Sequence, residues 1–230
     1  MNLVINIPKD KFNLLEINYK DYISKGNANT VFIAKKNNLT ISLYKTGKLV
    51  LQGLKESDIE KEKEKIIGQV FDSREEFILG FDETGRSEIT GPFVITGMLG
   101  ENKDLAIVRD SKKTDNIEKA KARVDSGALG YVTFTLNPKL IDYLRTKGVT
   151  LNTMEETYIF KIKELFEDLN LDFKTIVDGN PLSSKKIGAK YIPKADDLIP
   201  VVSAASIISK SFRDYSKNKD KRKTWNTKNI

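Results

Sequence analysis

The chain has 230 residues, of which 39% are hydrophobic, so it is long enough to bury one large core or two small ones. It contains no Cys and no His, which excludes disulfides, thiolate or imidazole metal ligands, and nucleophiles activated by a histidine. Any bound metal must therefore have oxygen ligands, which suits Mg²⁺, Mn²⁺ or Ca²⁺.

The net charge of +7 is unevenly distributed. Residues 209–230 contain eight Lys or Arg against two acids, residues 1–70 contain twelve Lys against eight acids, and the middle is slightly acidic. Basic ends could hold a polyanion, or the lysines could simply solvate the surface. No apolar run is long enough to span a bilayer, and residues 1–4 lack a signal-peptide pattern, so we expect a cytoplasmic protein.

Residues 1–70 predict a small α+β unit. We expect a helix over 10–23, strands over 30–34, 39–44 and 49–51, and turns at 37–38 and 46–48. One face of these strands is predicted to be buried, and the other, near Lys45 and Lys48, to be open to a partner. The alternating charges of 56–67 predict a solvated helix, after which we place a domain boundary near residue 70.

Residues 71–216 predict an α/β domain. We expect strands over 77–81, 93–99, 105–108, 131–136 and 173–177, and helices over 114–124, 138–146, 153–169 and 200–208. The apolar face of the longest helix is predicted to contain Met154, Tyr158, Ile162, Leu165 and Leu169. Residues 217–230 are predicted to form a loose basic tail, in which Trp225 could stack on a base or stay exposed.

Acidic residues follow two of the predicted apolar strands. Asp82 and Glu83 end the first strand, Asp178 ends another, and Asp196 and Asp197 precede the helix of small residues. Strands that end at one edge of a sheet bring such residues together, and crowded carboxylates repel unless a divalent cation neutralises them. Taken singly, each acid is more often structural, as part of a turn or a helix start. Together they favour a two-metal phosphoryl-transfer site.

Four motifs in order resemble those of type 2 ribonucleases H. They are GFDETGRS (80–87) with GP (91–92), RDSKK (109–113), VDGN (177–180), and KAD (194–196) followed by PVVSAASII (200–208) and RD (213–214). Residues 45–53 are similar to part of the TATA-binding-protein-like domain that ribonuclease HIII carries and ribonuclease HII lacks. The resemblance implies a ribonuclease-H-like mixed sheet flanked by helices, preceded by a small α+β TATA-binding-protein-like domain over 1–70.

The resemblance also implies an endonuclease that hydrolyses the RNA strand of RNA/DNA hybrids with Mg²⁺ or Mn²⁺. It assigns catalysis and metal binding to Asp82, Glu83, Asp178 and Asp196. It assigns substrate binding to Gly85, Arg86, Ser87, Lys112 and Lys113. The first three would read the RNA 2′-hydroxyl through the backbone, the two lysines would hold phosphates, and the N-terminal sheet would grip the hybrid. No protein partner is inferred, and we expect a monomer.

Three departures from the family pattern keep alternatives open. Ser87 replaces the usual Gly, Asp196 replaces the Glu usual in ribonuclease HIII, and the C-terminal region is shortened. Asp196 favours HII-like cleavage at single ribonucleotides embedded in duplex DNA. The N-terminal domain opposes this, as does the loss of the region that carries a Tyr used by HII enzymes at RNA–DNA junctions. A non-catalytic nucleic-acid-binding relative is the third interpretation, which retention of all four acids disfavours.

Overall fold

The computed structural model describes residues 2–24, 26–71, 77–106, 117–182, 187–216 and 219–224. These residues form two five-stranded sheets, each packed against helices. The predicted α/β class is therefore confirmed. Residues 72–76 lie outside the described part of the chain, so the boundary near residue 70 stays a prediction. None of the helices in these ranges is both long and apolar enough to cross a membrane.

The N-terminal sheet is antiparallel throughout. Its strands are β1 (Asn2–Asn6), β2 (Ile23–Ser24), β3 (Thr30–Lys36), β4 (Leu39–Tyr44) and β5 (Lys48–Gly53). They lie in the order β1-β5-β4-β3-β2. The three predicted strands are confirmed, whereas β1 and β2 were not predicted, and β2 begins at the last residue of the range predicted to be helical. Strand β1 pairs with β5 at the sheet edge, a contact between residues far apart in sequence.

Two helices, α1 (Phe12–Tyr19) and α2 (Glu56–Val70), pack on this sheet and share one apolar core with it. The prediction of a solvated α2 was wrong, because Ile59, Ile66 and Val70 form an apolar stripe that is buried in that core. The alternating charges obscured this stripe, since they occupy the remaining positions around the helix.

One carboxylate of α2, that of Glu62, is also buried, with 8% of the residue exposed. The Tyr19 hydroxyl donates to its Oε1 at 2.6 Å, and the Lys36 ammonium lies 2.9 Å from both carboxylate oxygens. Burial alone would raise the pKa of Glu62, but the hydrogen bonds from Lys36 and Tyr19 outweigh it and hold the pKa below its usual value. This buried acid is fully partnered.

The second sheet is mixed. Its strands are β6 (Phe77–Thr84), β7 (Phe93–Gly100), β8 (Gly130–Leu136), β9 (Phe173–Asp178) and β10 (Lys190–Ile192). They lie in the order β10-β9-β6-β7-β8. The central strand β6 runs antiparallel to β7 and parallel to β9, with Phe81 paired to Val177. The carboxyl ends of β6 and β9 therefore meet at one edge of the sheet, as the sequence predicted.

Helices cover both faces of this sheet. They are α3 (Asn102–Leu105), α4 (Ile117–Gly127), α5 (Pro138–Thr146), α6 (Leu151–Glu167), α7 (Ala195–Leu198) and α8 (Pro200–Tyr215). One face packs on α8, and the other on α5 and α6. Gly80 brings α8 close to β6, because a Cβ there would lie 3.0 Å from Val202 Cγ2 and 3.1 Å from Val201 Cγ1. The small residues of α8 make this close approach possible.

Two local predictions in this domain were wrong. The strand predicted over 105–108 begins within the short helix α3, and residues 107–108 lie outside the described ranges. In α6, Leu165 and Leu169 were predicted to be buried but are more than half exposed. The buried residues of this helix are Leu151, Met154, Glu155, Glu156, Ile159, Ile162 and Phe166. The centre of this face is rotated by about 60° from the centre of the predicted face, at 100° per residue, because it includes two carboxylates that an apolar pattern does not count.

The C-terminal residues 219–224, called the strap below, are not a loose tail. Lys221 forms an antiparallel bridge with Thr90, and Arg222 is 1% exposed. Asp142 of α5 accepts hydrogen bonds from the backbone N–H groups of Lys223 and Thr224 at 2.8 and 2.9 Å. The prediction failed because backbone and guanidinium hydrogen bonds hold the strap, and hydropathy does not detect them.

The two sheets are linked through Asn6, at the end of β1. Its backbone N–H donates to the Ala106 carbonyl at 3.2 Å, and its side-chain amide donates to Ser203 Oγ at 3.4 Å. Because Ser203 belongs to α8, the N-terminal unit is in direct contact with a helix that packs on β6.

Candidate active site

The last residues of β6 alternate between the two faces of the sheet. Gly80 faces α8, and Asp82, two residues further on, hydrogen-bonds Ser206 of the same helix. Phe81 packs in the core that contains α6, and the charge of Glu83 interacts with that of Glu155 on α6. Asp82 and Glu83 therefore occupy opposite faces of the sheet at the same edge.

Asp82 is almost completely buried, with 7% of the residue exposed. Burial raises its pKa well above the usual value, and the negative charges of Glu83, Asp178 and Asp196 raise it further. The hydrogen bond from Ser206 opposes this shift but does not cancel it. An ionised Asp82 is consequently unfavourable unless a cation approaches it.

A hydrogen bond connects the strand that ends at Asp178 to the helix that carries Asp196. Asp178 ends β9, and its Oδ1 accepts a hydrogen bond from the Ala195 backbone N–H at 2.6 Å. Ala195 begins α7, which carries the buried Asp196 as its next residue. The Asp196 carbonyl in turn accepts a hydrogen bond from the Ser203 hydroxyl of α8. These contacts hold both acids beside the end of β6.

Glu155 is a buried acid that the sequence analysis missed. It is 3% exposed, and burial raises its pKa to about 7 although the Arg86 guanidinium opposes the shift. Burial also raises the pKa of Glu83 to about 8, with the Glu155 charge as the next cause and Arg86 again opposing. An apolar pattern does not count a carboxylate, so it gives no signal that Glu155 is buried.

The Arg86 side chain points to α6. Its guanidinium forms an ion pair with Glu155 and donates a second hydrogen bond to the side chain of Asn152. Arg86 therefore neutralises one of the two acids on this face of the sheet. Both terminal nitrogens of its guanidinium are engaged in contacts with α6, while the side chain stays partly exposed.

The turn after β6 depends on Gly85. This residue has φ +80°, and a Cβ there would lie 2.4 Å from the Pro92 carbonyl oxygen and 2.6 Å from Arg213 Nε. The Glu88 N–H closes the turn on the Gly85 carbonyl at 3.3 Å, and Ser87 is exposed at its tip. The predicted Gly-Arg turn is therefore present, and no side chain fits at its first position.

The structure brings Asp82, Glu83, Asp178 and Asp196 into one electrostatically interacting group at the edge of the sheet. The predicted phosphate-binding lysines, Lys112 and Lys113, lie outside the described residues.

Within the described ranges, no group of three or more acidic side chains is arranged to hold a metal ion as it stands. The oxygen-only donor set and the mutual repulsion of its members nevertheless fit the chemistry of a divalent cation.

Acids at the ends of adjacent strands in a mixed sheet, with a separate antiparallel sheet before them, agree with the resemblance to type 2 ribonucleases H that carry an additional N-terminal domain. The family model for ribonuclease HII matches residues 79–229, and a domain of unknown function (DUF3378) matches residues 2–65. The chain belongs to the ribonuclease HII family. This membership indicates a ribonuclease H endonuclease.

Individual relatives agree with this assignment. The ribonuclease HII of Francisella tularensis subsp. mediasiatica is 33% identical over 141 residues, which cover 60% of this chain and 71% of the relative. Bst-RNase HIII in complex with Mn²⁺ superposes with a TM-score of 0.55 at 20% identity, covering 93% of this chain and 80% of that one. RNase H3 of Aquifex aeolicus gives a TM-score of 0.50 at 21% identity, covering 93% and 84%. The two structures establish the fold across both sheets.

Proposed function

We propose that the protein is a metal-dependent endonuclease that cuts the RNA strand of RNA/DNA hybrids. The observation that carries this proposal is the environment of the Asp82 carboxylate. Burial raises the pKa of this carboxylate, three neighbouring acids raise it further, and the Ser206 hydroxyl opposes the shift. Strongly perturbed carboxylates in such groups are typical of functional sites, because they cost stability unless a ligand compensates them.

Four acids would hold Mg²⁺ or Mn²⁺: Asp82, Glu83, Asp178 and Asp196. A bound divalent cation would supply an activated water and stabilise the leaving oxygen. The Mn²⁺ complex of Bst-RNase HIII, which shares the fold, supports this choice of metal. The protein itself keeps the acids in place through the Ala195 N–H on Asp178 and the Ser206 hydroxyl on Asp82.

The substrate would be recognised by two further surfaces. The backbone of residues 85–87 would read the RNA 2′-hydroxyl, while Lys112 and Lys113 would hold phosphates. The N-terminal sheet would add affinity through the face opposite α1 and α2. That face carries Lys48 and Gln52, since both alternate with the buried Leu49 and Leu51 along β5.

The proposal is tested by incubating the full chain with a labelled RNA/DNA hybrid and Mg²⁺ or Mn²⁺. We expect internal cuts in the RNA strand by the wild type and by Asp168→Asn, which removes an exposed acid. Asp82→Asn should bind the hybrid but leave it intact. Equal cutting by Asp82→Asn, or no cutting by the wild type with either metal, would refute the carboxylate mechanism.

A second activity is favoured by Asp196, the residue type usual in HII enzymes, and by the 33% identity to a ribonuclease HII. This activity is cleavage at a single ribonucleotide embedded in duplex DNA. It is tested on a DNA duplex that contains one ribonucleotide, in the same reactions. A nick beside that ribonucleotide supports the second activity, and an intact duplex excludes it. The monomeric state and the cytoplasmic location stay predictions.

A further inference from the structure

The turn after β6 is held from behind by a single side chain of the strap, that of Arg222. Its Nη2 donates to the Gly85 carbonyl at 2.7 Å and to the Gly91 carbonyl at 3.0 Å. Its Nε donates to the Gly91 carbonyl at 3.1 Å, and its Nη1 to the Arg86 carbonyl at 3.4 Å. One guanidinium thus connects both ends of the segment 85–91.

Backbone hydrogen bonds hold the strap against the same segment. The Gly91 N–H donates to the Asp220 carbonyl at 3.0 Å, and the Arg222 N–H donates to the Ile89 carbonyl at 2.9 Å. At its far end the strap is attached to α5 through the two backbone N–H groups that donate to Asp142. These contacts fix the backbone from which the Arg222 side chain extends.

The orientation of the Gly85 and Arg86 carbonyls determines where the following amides point. In a planar trans peptide the C=O and the next N–H lie in one plane and point in opposite directions. Because both carbonyls accept hydrogen bonds from the buried guanidinium, the N–H groups of Arg86 and Ser87 point away from it. These are two of the amides that would meet a ribose 2′-hydroxyl.

We propose that Arg222 is a positioning residue that sets the preference for RNA over DNA, by fixing the peptide planes of Gly85 and Arg86. This inference rests on the proposed function, because it assigns Arg222 to the turn that would read the 2′-hydroxyl. Arg222 itself does not touch the substrate, since it lies behind the turn and is 1% exposed.

Arginine suits this position better than lysine. Its planar guanidinium carries five N–H donors in a rigid fork, which can hold several carbonyls at once, whereas an ammonium is a compact group without that geometry. Burial lowers the pKa of Arg222 to about 10, with the charge of Arg213 as the next cause, so the guanidinium stays protonated at neutral pH. Arg222→Lys therefore keeps the charge and removes the fork.

The test measures the affinity of the full chain for an RNA/DNA hybrid and for a DNA duplex of the same sequence, without divalent metal so that neither is cut. We expect the wild type to prefer the hybrid. Arg222→Lys should lower the ratio of the two affinities about tenfold, as expected for losing about one well-placed hydrogen bond, with the DNA affinity unchanged. Lys221→Gln, an exposed neighbour, should weaken both complexes equally and leave the ratio as it is.

A second variant separates positioning from folding. Asp142→Ala detaches the far end of the strap without touching the turn, so it should lower the same ratio by a smaller factor, about threefold. Thermal melting checks that each variant is folded. An unchanged ratio in folded Arg222→Lys, or in Asp142→Ala if Arg222→Lys does not fold, overturns the inference. A wild type that cuts no hybrid and shows no preference for it refutes the proposed function instead.

Discussion

Glu62 and Asp82 are buried to almost the same extent, with 8% and 7% of each residue exposed, yet their pKa values move in opposite directions. In the N-terminal unit, Lys36 and Tyr19 donate to Glu62 and hold its pKa low. In the second unit, burial and the charges of neighbouring acids drive the pKa of Asp82 up. The two residues are about equally inaccessible to solvent, but the carboxyl group of Asp82 is enclosed more deeply and its charged neighbours are acids instead of lysines.

This difference in partners means that the Glu62 carboxylate stabilises the fold, whereas the Asp82 carboxylate destabilises it in the absence of a cation. A buried carboxylate with a cationic partner and a hydroxyl donor has its desolvation offset. Three acids around a fourth instead store unfavourable free energy, which is released when a cation arrives. We therefore expect removal of the two charges to have opposite effects on stability, and only one of them to affect catalysis.

The largest expected effect is on activity. Asp82→Asn should lower the rate of hybrid cleavage by about 1000-fold or more, because an amide is a poor ligand for a hard cation. The same variant should be more stable than the wild type by about 1 kcal/mol, since it removes a repelled buried charge. Cleavage assays and urea unfolding on one preparation measure both. A variant that is less stable than the wild type would contradict this account of Asp82.

The next effect is stabilisation by metal. At a Mn²⁺ concentration about 100-fold above its dissociation constant, the free energy of unfolding of the wild type should rise by about 2.7 kcal/mol. Asp82→Asn should gain much less, because one ligand of the group is lost. Thermal melting with increasing Mn²⁺ measures the gain. Equal gains in both proteins would mean that Mn²⁺ binds elsewhere.

Glu62→Gln should act in the opposite direction. It should lower the free energy of unfolding by about 2 kcal/mol, because it leaves the half-buried Lys36 ammonium without its carboxylate. Glu60→Gln, on the same helix, removes a carboxylate that is much more exposed than that of Glu62, and it should change stability by less than about 0.5 kcal/mol. Urea unfolding compares the two variants, while cleavage per folded molecule should match the wild type in both. Similar losses in the two variants would show that the Lys36 pair adds nothing.

The smallest expected effect is the pH dependence of the stability that Glu62→Gln loses. The folded-state pKa of Glu62 lies below its usual value of 4.5, so its contribution to stability is present above that pH and disappears as the pH falls through the folded-state pKa. The stability difference between wild type and Glu62→Gln should therefore shrink on acidification. Urea unfolding at neutral pH and below pH 4.5 checks this trend, and a constant difference would contradict it.

Much of the fold is predictable because its strands and helices carry local periodicity. The common edge of β6 and β9 follows from two apolar runs that end in acids, and the parallel pairing of Phe81 with Val177 confirms it. The edge strand β1 is different, since five residues have too little pattern to indicate a strand without their partner β5. The type of each element can therefore be predicted from the local sequence, whereas pairing at the edge of a sheet cannot.

The residues of the site also differ in whether the local sequence reveals them. Asp82 could be recognised because it interrupts an apolar run. Glu155 lies on a helix face whose apolar pattern pointed about 60° away, so its burial was hidden by its own charge. Arg222 has no local signal at all, because its partners are backbone carbonyls of a distant turn and it sits among lysines.

The hydrogen bond between Gly85 and Arg222 joins residues that are 137 positions apart. During synthesis, the turn that follows the central strand is made long before the side chain that braces it. A nascent polypeptide therefore carries Asp82, Glu83 and the turn in an unbraced state until Arg222 has been synthesised. The bracing contact can form only after Arg222 has left the ribosome, well after the central strand β6 has been synthesised.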